Sequence, residues 1–156
     1  MAADNARHEL FLMREIDAPT TKIYRAWTDP ELLKQWFCPK PWGVSHAELD
    51  VRAGGSSFIV MKGPNGEEVE NRGVYLEVVP NEKLVFTDAF TTAWVPSEKP
   101  FMTGIVALEP LGEGRTKYTA IARHWTEEDK KTHEAMGFHE GWGAATDQLV
   151  ALLAKI

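Results

Sequence analysis

The feature that most constrains the fold is a run of strand-like segments, separated by short turns, in the middle of the chain. The turns carry the glycine, asparagine and proline chemistry of hairpins, and they fall at Gly54-Gly55, 64–66, 80–82 and 112–114. The segments between and around them are 44–51, 56–62, 69–79, 83–90, 101–110 and 115–124. This spacing predicts a six-stranded antiparallel meander. One longer irregular connection, 91–100, is of the kind that often borders a binding site.

Strand and helix signals precede the meander. Residues 8–17 show the period of two that is typical of a further strand. Two short helices then begin at Pro19 and at Asp29-Pro30, because proline in the first helical turn loses no hydrogen bond that the helix needs. Their apolar faces include Trp27 and Trp36.

The last thirty residues carry the signals of a long helix. Thr126 and Asp129 form a pair that resembles a capping box, and apolar residues then recur at helical spacing as far as Ile156. Glycine inside a helix costs roughly 0.8–1 kcal/mol relative to alanine, and this segment contains Gly137, Gly141 and Gly143. We therefore expect a bend, a break near 132–138, or close approach to another element.

Together these elements predict an α+β fold in which a curved antiparallel sheet of about seven strands wraps around the long C-terminal helix. That helix is the only element with enough apolar surface to cover the concave side of the sheet, and a cavity can remain between the two. We expect a single domain over residues 1–156, with residues 1–7 as a flexible N-terminal tail.

The composition excludes several classes of partner. Seventeen basic and twenty-three acidic residues give a net charge of −6, which disfavours binding to nucleic acids. No stretch approaches the roughly 18 apolar residues of a membrane span, and the N-terminus lacks a secretion signal. The single cysteine, Cys38, fits a reducing compartment. We therefore expect a cytoplasmic monomer or homodimer. We expect no nucleic-acid partner, no membrane partner and no cofactor.

Six segments, in order along nearly the whole chain, resemble one known family. The segments are Arg14–Pro19, Ala26–Leu32 with Trp36, Asp50–Gly55, Gly73–Tyr75, Glu82–Thr87, and Gly141-Trp142 with Asp147–Leu149. They resemble the family named after the activator of the heat-shock-protein-90 ATPase, within the START-like, birch-pollen-allergen-like superfamily (SRPBCC). The resemblance implies the helix-grip fold and a hydrophobic cavity that binds lipids, polyketides, flavonoid-like aromatics or other small apolar molecules.

Three functions remain open at this point. The leading hypothesis is a carrier or sensor that binds a small hydrophobic or aromatic ligand without catalysis. The second is an enzyme of cyclase, dehydratase or hydrolase type that uses His124 or His139 as a base. The third is a protein-partner module, such as a chaperone regulator, which would present an exposed apolar patch.

The candidates for ligand contact are side chains on predicted inner surfaces and beside turns. By the period of two, Tyr118 and His124 share one face of the last strand. Counting back from Trp142 places His139 on the inner stripe of the long helix. The full set of candidate ligand-binding residues is Trp42, Tyr75, Phe86, Asp88, Phe90, Tyr118, His124, Met136, His139 and Trp142. For each of them the alternative is ordinary packing, a satisfied polar network or a position at the rim.

Three further side chains support structural interpretations. His133 lies nine residues after His124 and six before His139, not the three or four that place two metal ligands on one helical face. We therefore interpret the three histidines as solvent-facing and predict no metal site. Arg14 lies on the inward face of the first strand, which predicts an ion pair with a carboxylate. Cys38 has no activating base nearby in sequence, so we expect an unreactive thiol.

Overall fold

The computed structural model describes residues 8–92 and 94–156, and the flexible tail expected at 1–7 lies outside them. The strands are β1 (Glu9–Ile16), β2 (Gly43–Leu49), β3 (Ser56–Lys62), β4 (Glu68–Val79), β5 (Lys83–Thr87), β6 (Phe90–Thr92), β7 (Val95–Pro96), β8 (Met102–Gly112) and β9 (Arg115–His124). The helices are α1 (Thr20–Thr28), α2 (Pro30–Leu33), α3 (Glu127–Ala135) and α4 (Phe138–Leu153).

Seven strands form one curved antiparallel sheet in the order β1-β9-β8-β5-β4-β3-β2. Helices α1 and α2 carry the chain from β1 at one edge to β2 at the other, and the later strands fill the space between the edges. Irregularities of register in β2 and β4 are of the kind that bends a strand. The predicted α+β helix-grip fold is confirmed.

The inner face of the sheet follows the period of two. Alternate residues of β9 from Thr116 to His124 are buried, so Tyr118 and His124 share one face of the strand as the period of two predicted. The sequence left the inner face of β2 undecided. Ala47 and Leu49 pack against the core, whereas His46 lies on the outer face, where it stacks on an aromatic ring.

Aromatic side chains from the two short helices fill the space above the centre of the sheet. The ring centroids of Trp27 and Trp36 lie 4.9 Å apart, and Phe86 from β5 lies 5.7 Å from Trp27. Nε1 of Trp27 donates a hydrogen bond to the hydroxyl of Tyr118 at 3.1 Å. Leu149 of α4 is fully buried in the same cluster. This part of the inner surface is therefore packed by the protein itself.

The C-terminal helix is broken where its glycines predicted a break. The hydroxyl of Thr126 accepts a hydrogen bond from the backbone N–H of Asp129 at 3.0 Å and caps α3. Gly137 then adopts a φ of +93°, a conformation that favours glycine, and α4 begins at Phe138. Within residues 8–92 and 94–156, no helix is long and apolar enough to cross a membrane.

Arg14 attaches α4 to the edge strand β1. Its Nη1 lies 2.7 Å from Oδ1 of Asp147, and its Nη2 donates to the carbonyl of Gly143 at 3.2 Å. The predicted ion pair with a carboxylate is confirmed. A Cβ at Gly143 would lie 3.7 Å from Nη2, an ordinary van der Waals contact, so the approach of Arg14 does not require glycine at this position.

The predicted strand 83–90 is too long. Strand β5 ends at Thr87, and Oδ1 of Asp88 accepts hydrogen bonds from the backbone N–H groups of Phe101 and Met102 at 2.8 and 3.1 Å. These bonds join the two ends of the connection that the sequence predicted to be irregular. Part of that connection forms the small hairpin β6–β7, so Asp88 and Phe90 do not continue the inner face of β5.

Candidate functional site

A pair of buried histidines lies where β9 meets α3. His124 is the last residue of β9, and His133 lies in the last turn of α3. Their exposed fractions are 4% and 9%, and Nε2 of His124 lies 2.8 Å from Nδ1 of His133. The prediction that these histidines face solvent is wrong. The spacing argument considered one helix, whereas a strand and a helix bring this pair together.

Aromatic rings surround the pair. The ring centroid of Phe101 lies 5.4 Å from His124 and 5.0 Å from His133. Phe138 and Trp142, from the first turns of α4, lie 5.1 and 6.1 Å from His133. Phe138 also belongs to a second apolar cluster, separate from the main core. The other members of this cluster are Leu10, Ala122, Met102 and Trp142. We call His124, His133, Phe101, Phe138 and Trp142 the histidine–aromatic site.

The hydrogen-bond partners of the two histidine rings determine which ring nitrogens carry a proton. Nδ1 of His124 lies 3.0 Å from the backbone carbonyl of His8, and a carbonyl only accepts, so this nitrogen carries a proton. In a neutral His124 ring, Nε2 is then an acceptor, and Nδ1 of His133 must donate to it. A neutral His133 ring consequently has an unprotonated Nε2, whose lone pair is available as an acceptor.

The surroundings keep His133 neutral. Burial lowers its pKa from the ordinary value of 6.5 to about 4, and the neighbouring His124 acts in the same direction. Burial disfavours the charged imidazolium because the apolar rings replace water around it. At pH 7 the site therefore presents His133 as an uncharged ring.

Two polar atoms of the site have no hydrogen-bond partner among the residues that the structure describes: Nε2 of His133 and Nε1 of Trp142. Across the same residues, the only fully buried side-chain nitrogen or oxygen without a partner is Oγ of Ser97. Neither Nε2 of His133 nor Nε1 of Trp142 is therefore sealed inside the protein. The site retains one open acceptor and one open donor in an aromatic setting.

Of the ten residues predicted to contact a ligand, His124 and Trp142 belong to this site. Tyr75, Phe86 and Tyr118 lie deeper, against the main core. Phe86 lies over Gly104, where a Cβ would come within 2.4 Å of its ring. Burial raises the pKa of the Tyr75 and Tyr118 hydroxyls well above the usual value.

The other five predicted residues lie elsewhere, and His139 is a correction. Its side chain is 58% exposed and lies 3.6 Å from Glu134, so it is not on the inner stripe. Phe138, four residues before Trp142 in the same helix, occupies the inward position instead, and Met136 just before the break is 72% exposed. The remaining three are a half-buried residue beside Gly63, a loop carboxylate that binds the backbone, and a ring stacked in the β6–β7 hairpin: Trp42, Asp88 and Phe90.

Sequence reasoning missed His133, Phe101 and Phe138 as members of the site. The available signal was the helix break, because a break after α3 lets its last turn fold back onto the end of β9. No group of three or more histidine, cysteine or acidic side chains suited to a metal ion occurs in the described part of the chain. Cys38 is buried, and burial raises the pKa of its thiol to about 11, in agreement with the expected lack of reactivity.

A groove of about 390 Å³ includes no residue of the histidine–aromatic site. It is lined by Met13, Arg14, Glu15, Leu111 and Lys117. Three of the five lining side chains are charged, so the groove does not match the apolar cavity that the sequence predicted.

The curved sheet, the two short helices and the broken C-terminal helix define a helix-grip protein of the SRPBCC class. The family model described as Activator of Hsp90 ATPase homolog 1-like protein matches residues 17–154, and the chain belongs to this family. A search of the curated proteins found no match.

Solved structures from several bacteria are similar to this chain. Protein NE0264 from Nitrosomonas europaea is 43% identical, with a TM-score of 0.92 and 96% of each chain covered. A protein from Arthrobacter aurescens is 26% identical, with a TM-score of 0.83, covering 98% of this chain and 90% of its own. Protein Ms6760 from Mycobacterium smegmatis is also 26% identical, with a TM-score of 0.80 and coverages of 96% and 93%.

Proposed function

We propose that this protein binds a small, largely apolar molecule at the histidine–aromatic site, as a carrier or sensor. Proteins of this family's fold commonly bind hydrophobic ligands. The observation that carries the proposal is the combination of closely packed aromatic rings with two polar atoms that are neither paired nor sealed. Small-molecule sites have this composition, since apolar walls supply affinity and a few polar groups fix orientation.

The loop that begins at Asp88 positions one wall of the site. Oδ1 of Asp88 accepts a hydrogen bond from the backbone N–H of Phe101, whose ring packs edge-on against His124 and at a tilt against His133. The opposite wall is Phe138 and Trp142, whose rings lie 4.6 Å apart at the start of α4. Entry of a flat ligand between these walls requires the loop and the start of α4 to move apart.

The enzymatic alternative has less support. A general base needs a free nitrogen within reach of the substrate. Both ring nitrogens of His124 are engaged, with the carbonyl of His8 and with His133. His139 is exposed on the outer side of α4. His133 does have a free nitrogen, but a pKa of about 4 makes it a weak base at neutral pH.

The protein-partner alternative predicts an extended apolar patch. The exposed large apolar side chains of the described residues include Phe11 and Met13 of β1, at 63% and 57%, and Trp94, Trp125 and Met136 on other segments. They come from β1, the β6–β7 hairpin and the two ends of α3, whereas a stable interface buries about 800 Å² on each partner. The proposal therefore rests on the histidine–aromatic site.

The test is a thermal-shift screen against fatty acids, flavonoids, polyketides and sterols, followed by calorimetry. A ligand present at one hundred times its dissociation constant adds about 2.7 kcal/mol to the stability of the folded state. Binding should be lost in Phe101→Ala and retained in Phe11→Ala, which makes the same substitution at an exposed position on the opposite face of the sheet. A screen without any saturable hit, or a hit that Phe101→Ala leaves unchanged, would refute this function for the site.

A further inference from the structure

We infer that the ligand is a neutral alcohol or phenol whose hydroxyl group bridges His133 and Trp142. This inference rests on the proposed function and names the chemical class of its ligand. The hydroxyl donates its hydrogen to Nε2 of His133 and accepts a hydrogen bond from the indole N–H of Trp142. The apolar part of the ligand packs against Phe101 and Phe138.

The direction of each hydrogen bond follows from the proton chain through the site. The carbonyl of His8 accepts from His124, and His124 accepts from His133. Both histidine rings donate in the direction of His8. Nε2 of His133, at the far end of this series of hydrogen bonds, can therefore only accept. The indole nitrogen of Trp142 can only donate. The two rings are neighbours, with centroids 6.1 Å apart.

A hydroxyl is the smallest group that satisfies both atoms, because it donates one hydrogen bond and accepts others. A ketone, an ether or an ester offers only acceptors, so it would pair with Trp142 and leave the lone pair of His133 unmatched. A carboxylate would face that lone pair with a negative charge and would also lose its hydration among apolar rings. An ammonium group would donate to His133 but could not accept from Trp142.

The probes are 2-naphthol and its methyl ether, 2-methoxynaphthalene, which share an aromatic skeleton and differ in one hydroxyl hydrogen. We expect calorimetry at pH 7 to show about tenfold tighter binding of 2-naphthol, the worth of one additional net hydrogen bond. If the screen yields a tighter-binding scaffold, that compound and its own O-methyl derivative form the pair. The preference should fall to about twofold or less in His133→Asn, whose amide can still donate to His124 but lacks the Nε2 acceptor.

Two further variants separate the roles. Trp142→Phe keeps a ring and removes the donor, and we expect it to weaken both probes by a similar factor, since the ether oxygen also accepts from the indole. His139→Asn makes the same change as His133→Asn at an exposed position and should leave the preference intact. Should His133→Asn fail to fold, the ¹⁵N resonance of Nε2 in wild-type His133 is the readout, and it should move on addition of 2-naphthol but not of the ether.

The possible outcomes distinguish a failure of this inference from a failure of the proposed function. Equal affinity of the wild type for both probes would overturn the hydroxyl bridge while leaving the ligand site in place. A tenfold preference that survives in His133→Asn would place the hydroxyl at another group and would also overturn the inference. If neither probe binds and the screen gives no hit, both the proposed function and this inference are refuted.

Discussion

Lowering the pH from 7 to 5 should destabilise this protein through His133. Burial lowers the pKa of this histidine from 6.5 to about 4 in the folded state, whereas the unfolded chain retains the ordinary value. Between these two values the unfolded chain binds a proton that the folded protein does not. The free energy of unfolding therefore rises with pH across this window and falls as the medium is acidified.

The magnitude follows from the two pKa values. The two pKa values differ by about 2.5, and a difference of one in pKa is worth about 1.4 kcal/mol, so the full effect is about 3.5 kcal/mol, reached only below pH 4. Between pH 7 and pH 5 the loss amounts to about 2 kcal/mol, because most of the unfolded chains but few folded molecules are protonated at pH 5. Nδ1 of His133 lies 2.8 Å from Nε2 of His124; on the flanking residues, Nδ1 of His8 lies 3.3 Å from Glu127 and Nε2 of His139 lies 3.6 Å from Glu134.

The assay is urea denaturation of the wild type and of His133→Asn at pH 7 and pH 5. The variant is less stable at pH 7, but its stability should change by about 2 kcal/mol less than that of the wild type between the two pH values. His139→Asn removes an exposed histidine and should track the wild type. Identical pH dependence in the wild type and His133→Asn would show that burial does not perturb the protonation of His133, and the account of a lowered pKa at this site would fail.

Three further predictions concern the packing that supports the site. Gly104→Ala should destabilise the fold by about 1–3 kcal/mol in urea denaturation, because the new Cβ meets the ring of Phe86 at 2.4 Å; unchanged stability would mean that this ring is free to move. Tyr118→Phe should cost about 1 kcal/mol, since the indole N–H of Trp27 loses its acceptor in a buried setting, and a double-mutant cycle with Trp27→Phe should show coupling between the two positions. The thiol of Cys38, 6% exposed and with its pKa raised to about 11, should resist iodoacetamide at pH 8 until urea unfolds the chain; rapid labelling of the native protein would contradict this.

The fold could be predicted from the sequence because its signals are local. Turn residues such as those at 64–66 mark the hairpins, and Gly137 marks the helix break. The one strand predicted too long, 83–90, fails for a non-local reason. Its apolar pattern continues through Phe90, but the side chain of Asp88 binds the backbone of Phe101 thirteen residues later and turns the chain away. Nothing in the local pattern of residues reveals that partner.

The site was harder to predict because its residues come from elements whose relative positions depend on a single glycine. Counting three positions back from Trp142 placed His139 inward. Both residues lie in α4 after the break, and the inward position is four residues before Trp142, at Phe138, in line with the buried Ala145 and Leu149, so His139 is exposed at the edge of that stripe. The same break lets the last turn of α3 lie against the end of β9, which brings His133 to His124. A residue with a side chain at position 137 would be strained at a φ of +93°, and the pairing of the two histidines would be the first contact to suffer. Gly137 is therefore the residue on which the histidine–aromatic site depends, although it contacts none of the proposed ligand atoms.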